Sequence, residues 1–415
     1  MRQVLLTLLM LTGYAAAAAA AEDAELYRKA ELSFRSKDYV AAVAGYSEII
    51  DKFPSSRYYP YARYSLGWTQ FETGRFEDAE KTFDGFLTEF HDHPLAAESL
   101  FKLGQSLYEQ KKYAAAVEKL TLFIHEHSLN AKIPNASYLI GQSCAKSGDA
   151  EKAAEAFRKC LALAPAAAFA DHARLGLALS LFELGRFDES LKSFEAAPKD
   201  RAMAAEFAFG RARALAALGR HAEAEAAFIR IGEEFAGSPL VPDSLFWRGE
   251  SVYHQARYPE AAALFTDYLS RYASGELADD ARYDLGRTRL AMKDPEAAFG
   301  EFEIVAEAGR NDALRAASWC ELGDLYLERG DPEKALEAYD RVLKEFPSSG
   351  FADDAQYRMA TALGKLGRSD ASTLAFKTLL LNFPDSRFAP AARAALDAAS
   401  QAPDNAVKSK QPVKP

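Results

Sequence analysis

Residues 322–347 read LGDLYLERGDPEKALEAYDRVLKEFP. Two apolar patterns of helical period stand on either side of Gly330, a residue with the backbone freedom that a tight turn needs. Phe346-Pro347 closes the second pattern, because proline cannot continue a helix. Gly323 is followed twelve residues later by Ala335, and Ala335 four residues later by Tyr339. That spacing predicts two antiparallel helices whose backbones approach closely where both side chains are small, with a bulky side chain one turn on to fill the remaining wedge.

Working outward, the same arrangement recurs ten times between Ala24 and Pro384. The first small column is Ala30, Gly67, Gly104, Gly141, Ala178, Ala212, Gly249, Gly286, Gly323 and Ala360. The second is Ala42, Ala79, Ala116, Ala153, Ser190, Ala224, Ala261, Ala298, Ala335 and Ser372. The bulky column is Tyr46, Phe83, Leu120, Phe157, Phe194, Phe228, Phe265, Phe302, Tyr339 and Phe376. Glycine marks the inter-helix turn at Gly74, Gly148, Gly185, Gly219, Gly330 and Gly367. A chain of 415 residues is longer than one hydrophobic core usually grows, and an array in which each repeat needs only its neighbours removes that limit.

These columns resemble the tetratricopeptide repeat family, with Leu66-Gly67, Phe76, Ala79 and Phe83 as one match and Leu322-Gly323, Tyr326, Gly330, Ala335, Tyr339 and Pro347 as a fuller one. The resemblance implies an all-α, right-handed superhelical solenoid of about ten helix-turn-helix repeats. Its period is 37 residues rather than the family's 34, the surplus lying in exit segments such as Phe53-Pro54-Ser55-Ser56 and Phe346-Pro347-Ser348-Ser349. That insert, followed by Ala-x-Tyr-x-Leu, resembles the bacterial envelope branch of the family. The branch includes the Tol-Pal-associated division coordinator of YbgF or CpoB type and the outer-membrane assembly protein BamD. Compartment and scaffold role are what this likeness implies, with cell-division or Tol-Pal coordination first and outer-membrane protein assembly or small-ligand and oligosaccharide binding as alternatives.

Met1-Arg2-Gln3, the apolar run Val4 to Leu11 and the small residues Ala15 to Ala21 read as an export signal over 1–21, leaving Glu22 first in the mature chain. Location in the periplasm or at the periphery of the outer membrane is therefore expected. No cysteine follows the cleavage point, so no lipid anchor is expected, and no apolar run reaches the roughly 20 residues of a membrane span. Repeats one to five are assigned to 22–197 and six to ten with a capping helix to 198–400. Between Ala178 and Ala212 the spacing falls to 34 around Pro198, where a flexure is expected. Residues 401–415, with three prolines and three lysines, read as a disordered tail.

In this family the concave wall is formed by the first helix of each repeat, and here a column on it is aromatic: Tyr27, Tyr64, Phe101, Tyr138, Phe209, Phe246, Tyr283 and Tyr357. A second column adds Phe34, Phe71, Tyr108, Phe182 and Tyr253, with Trp68 between the two. Such a ridge suits an extended or helical peptide, so partner binding is assigned to these rings, richest in repeats one to three. Filling gaps between first helices is the alternative for each ring. Glu98, Asp243, Asp280, Arg213, Arg287 and Asp324 lie on the same face and are expected mainly to solvate it.

A net charge of −10 argues against phosphate-backbone binding, so protein or peptide partners are expected and nucleic acid is not. His91-x-His93 and His125-x-His127 could suggest a metal, but residues two apart on a helix diverge, and contact with helix C-terminal dipoles is preferred. Cys144 and Cys160 are offset by about 9 Å along antiparallel helices, which predicts buried thiols rather than a bridge. No nucleophile elbow, phosphate loop or paired-carboxylate constellation stands out, so a non-enzymatic chain without cofactor or metal is expected.

Overall fold

The computed structural model describes residues 22–401 except 197 and 199. The expected export signal and all but the first residue of the expected tail lie outside the described residues. The described residues fall into two compact units that divide between Ala214 and Leu215. In the first unit the helices are α1 (22–35), α2 (Tyr39–Lys52), α3 (Tyr59–Glu72), α4 (Phe76–Glu89), α5 (Ala96–Glu109), α6 (Tyr113–Glu126), α7 (Ile133–Lys146), α8 (Ala150–Leu163), α9 (Ala170–Glu183) and α10 (Phe187–Glu195). Helix α11 (Ala204–Ala217) carries the boundary. The second unit continues with α12 (His221–Glu234), α13 (Val241–His254), α14 (Tyr258–Arg271), α15 (Ala278–Ala291), α16 (Pro295–Ala308), α17 (Asp312–Glu328), α18 (Pro332–Glu345), α19 (Ala352–Lys365), α20 (Ser369–Asn382) and α21 (Ala389–Gln401). The fold is all-α, built of antiparallel helix pairs in series, and no strand occurs among the described residues.

Within each unit consecutive helices pack on one another, and the first helices of neighbouring repeats also touch: α3 with α5, α5 with α7, α13 with α15 and α15 with α17. The first helices therefore share one continuous face in each unit. Helix α21 packs on α20 at the end of the second unit, where a capping helix is expected.

The small columns work by letting a ring lie flat on backbone. A Cβ added to Gly67 would stand 2.9 Å from the Phe83 ring, one on Gly249 2.8 Å from Phe265, and one on Gly286 2.7 Å from Phe302. Phe157 is clamped on both sides, with Gly141 of its own repeat 2.7 Å and Gly176 of the next 2.5 Å from its ring by the same measure. Where the second small column is serine, the hydroxyl is absorbed: Ser190 donates to the Ala178 carbonyl at 2.7 Å and Ser372 to Ala360 at 2.8 Å.

Every first helix ends one way. Seven residues after the small column the backbone turns left-handed, at Gly74, Gly148, Gly185, Gly219, Gly330 and Gly367, and also at Lys37, Lys111, Ala256 and Lys293. In repeat two, Arg75 N–H reaches back to the Gln70 carbonyl and Gly74 N–H to Phe71, closing the last turn. The hydrogen bonding holds the four non-glycine residues in place against a cost of about 1 kcal/mol each.

The exit segment has a function visible only in three dimensions. Ser56, Ser238 and Ser386 each accept, through the hydroxyl, the backbone N–H two residues on, at Tyr58, Leu240 and Phe388. Asn130 does the same for Lys132. His93 occupies this slot in repeat two, its Nδ1 accepting Leu95 N–H at 3.1 Å. The expected dipole contact is thus corrected for His93, which organises the start of the next helix. Around Pro198 the pattern changes: α10 is 9 residues long where most helices are 14, and Asp200 accepts from Ala202 N–H at a single 3-10 turn, Arg201–Met203.

Candidate functional site

The first-column rings pack chiefly inward. Tyr64, Phe101 and Phe246 are buried, Tyr64 only 7% exposed. Each lies about one ring from an aromatic of its own second helix: Tyr64 on Phe83 at 6.0 Å, Phe101 on Phe123 at 5.5 Å, Phe246 on Phe265 at 5.8 Å and Tyr283 on Phe302 at 5.5 Å. Three others also stack on the residue that opens the next repeat, Tyr27 on Tyr58, Tyr138 on Phe169 and Tyr357 on Phe388, at 5.0, 5.3 and 4.7 Å. Burial pushes the hydroxyls of Tyr64 and Tyr283 well above the usual tyrosine range, so these phenols stay neutral.

The second column is layered rather than open. Lys102 Nζ lies 4.5 Å from the centre of Phe71 and 5.4 Å from Trp68. Arg213 covers Phe182 at 5.0 Å and Arg287 covers Tyr253 at 4.9 Å. Tyr108 meets Tyr113 at 5.8 Å. Phe34 is met by Trp68 at 5.5 Å, so in repeat two an indole takes the place that arginine fills further along. Four of the six charged residues on this face are correspondingly not a solvating fringe. Besides Arg213 and Arg287, Glu98 pairs with Lys132, and Asp324 accepts from Tyr339 and from Arg358.

Several of these rings meet at an open pocket. Between α1 and α3 a pocket of about 220 Å³ brings together the sequence-assigned Tyr27, Phe34, Tyr64 and Trp68. Its remaining lining is Glu31, Tyr46, Tyr61, Ser65 and Leu95, none of them singled out by the aromatic columns as a ligand contact. Trp68 is 36% and Tyr61 42% exposed, so two rings stand at the mouth. The indole is held by Nε1 donating to Glu72 Oε1 at 2.9 Å and by Tyr64 packing edge-on at 5.9 Å. On the floor, Glu31 Oε1 accepts from the Tyr46 hydroxyl at 2.7 Å and from Ser65 Oγ at 3.3 Å. Burial pushes Tyr27 up to about 12, and burial with the Glu31 carboxylate raises Tyr46 further, so both remain proton donors. Tyr61 lies three residues before Tyr64 on one helix face, a signal the sequence carried.

The second unit's first-helix face differs. Glu250 and Asp284 lie on neighbouring first helices, their carboxyl groups close enough to repel each other, and Arg287 donates to Asp284 Oδ1 at 2.8 Å. Burial and the Glu250 charge push Asp284 up to about 7. Among the described residues no group of three or more His, Cys, Asp or Glu side chains could hold a metal. The three cysteines are buried and unbridged, and burial raises the Cys160 thiol to about 11, which keeps it a poor nucleophile. No helix among the described residues is long and apolar enough to cross a membrane.

Profiles of the tetratricopeptide repeat match residues 26–56, 64–131, 134–167, 175–239, 231–276, 283–350 and 354–386. Solved structures with a similar chain include a tetratricopeptide repeat protein from Parabacteroides merdae, 20% identical, covering 65% of this chain and 98% of that one with a TM-score of 0.41. MamA is 20% identical and covers 48% of this chain and 94% of its own, with a TM-score of 0.37. The apo form of RapI is 12% identical and covers 78% and 98%, with a TM-score of 0.49. No curated protein matches the chain.

Proposed function

Since the chain belongs to the tetratricopeptide repeat family, and such arrays hold partners on the surface their repeats build together, we propose that it is an exported envelope scaffold that grips a protein partner on the first-helix face of repeats one to three. The observation that carries the site is the open pocket between α1 and α3, at whose mouth Trp68 and Tyr61 stand exposed although Lys102 lies 5.4 Å from the centre of the indole. Exposed Trp and Tyr on a rigid scaffold are the residues from which interface hot spots are most often built. The export reading of residues 1–21 supports a periplasmic or outer-membrane-peripheral location. The long-period exit inserts favour a role of the Tol-Pal coordination kind.

Pull-down from envelope extract of the source cells tests the reading. Combining Tyr61→Ala, Trp68→Ala, Phe71→Ala and Tyr108→Ala is expected to lower partner recovery at least tenfold while the helical circular dichroism signal is kept, as loss of a hot-spot cluster worth 2 kcal/mol or more would do. Unchanged recovery would remove the site. Fractionation with N-terminal sequencing is expected to give a mature chain starting at Glu22; a chain retained in the cytoplasm with Met1 would remove the compartment.

A further inference from the structure

The pocket between α1 and α3 has the chemistry of a cation receptor, and we infer that it takes a lysine side chain of the partner. Five observations combine. Rings of Tyr27, Phe34, Tyr61, Tyr64 and Trp68 surround it, and aromatic faces attract an ammonium through their quadrupoles. Glu31 is the one acidic side chain in the lining. It forms no ion pair among the described residues and accepts instead from the hydroxyls of Tyr46 and Ser65, neutral donors that position the carboxylate. The volume of about 220 Å³ is below the roughly 300 Å³ at which small-molecule sites begin, which suits one long side chain. Finally, the next repeat puts Lys102 over Trp68, a ring of this pocket, and over Phe71 on the same helix, showing that these aromatic faces hold an ammonium when one is within reach.

The cage is preorganised, so little freedom is lost on filling it. Trp68 is anchored on Glu72, and Tyr27 is stacked on Tyr58 at 5.0 Å. A lysine suits it because its four-carbon stem can lie along the rings while the ammonium reaches Glu31. This inference rests on the partner-holding role, but it can fail separately.

The test is a titration of the full mature chain, followed by tryptophan fluorescence and amide chemical shifts, with the peptide Ac-Gly-Ala-Lys-Ala-Gly-NH2 and its norleucine counterpart. The lysyl peptide is expected to bind at least tenfold more tightly than the norleucyl one. Glu31→Gln keeps an acceptor for Tyr46 and Ser65 and is expected to weaken the lysyl peptide at least fivefold without changing the norleucyl one. Tyr61→Leu, at an exposed position, is expected to weaken it as well and guards against misfolding at Glu31. Equal binding of both peptides, or lysyl binding indifferent to Glu31→Gln and Tyr61→Leu, would overturn the inference. So would phosphatidylcholine vesicles binding through this pocket when the lysyl peptide does not. A partner still recovered by Glu31→Gln without lysine selectivity sinks the inference alone, whereas one still recovered by the four-alanine variant sinks the partner site.

Discussion

Gly141→Ala lowers the stability of the first unit by about 2–3 kcal/mol, although alanine is the better helix former by ~1 kcal/mol. The loss arises from Phe157. Its ring already lies on Gly141 and on Gly176 of the next repeat, so a new methyl has nowhere to push it. The side chain is 2% exposed, and yielding would disturb two repeats at once. Gly300 in α16 provides the opposite case, since a Cβ there meets nothing within 4 Å and Gly300→Ala is expected to stabilise by about 0.5–1 kcal/mol. Urea unfolding of both variants gives the sign directly. Adding Phe157→Ala to Gly141→Ala should cost at least ~1 kcal/mol less than the sum of the single changes, because removing the ring removes what the new methyl strikes. Independent, additive losses would contradict the interlock.

The second unit is expected to lose about 2 kcal/mol between pH 3.5 and pH 8 at Asp284. Its carboxyl titrates near 7 in the folded chain against about 4 unfolded, so the folded state binds the proton more tightly. Such a group favours folding most below the unfolded value, and the advantage drains away as pH rises through 7. The full shift would be worth ~4 kcal/mol, and about half is assigned to the site because Glu250 titrates with it. Arg287 donates to Asp284, Asp280 adds repulsion on Glu250, and the His254 imidazole lies 3.9 Å from Glu250. Asp284→Asn keeps an acceptor for Arg287 without the charge. Urea denaturation at both pH values should show the variant more stable than the parent at pH 8 and with a flatter profile. An identical slope in the two proteins would place the titration elsewhere.

The repeat was legible because its constraints are local to one hairpin. Gly323, Ala335 and Tyr339 satisfy one another across sixteen residues, and the register repeats wherever the same small and bulky types recur. Which rings remain open was not legible, because that depends on residues one repeat away. Phe182 and Tyr253 read like Phe34, yet Arg213 and Arg287 cover the former two and Trp68 meets the latter. Glu31 was equally hidden, since one glutamate on a charged helix gives no sign that two hydroxyls from different helices converge on it. His93 looked like half of a metal pair. Its role emerges only when it is aligned with Ser56, Ser238 and Ser386 in the exit turn. A buried Ser and Thr column was missed altogether: Thr69, Ser106, Ser143, Ser180, Ser251 and Thr288 each donate to the carbonyl four residues back, a bond that makes a hydroxyl acceptable in a close-packed helix seam.

The proposed partner lies on the first-helix face near Trp68. Site-specific photocrosslinking in intact cells tests it most directly, with a benzophenone side chain at position 68 compared with one at position 122. Leu122 is 40% exposed on a second helix, close to the 36% of Trp68, so accessibility does not separate the two sites. A defined crosslinked partner is expected from position 68 and none from position 122. The same partner captured from position 122 and not from 68 would contradict it.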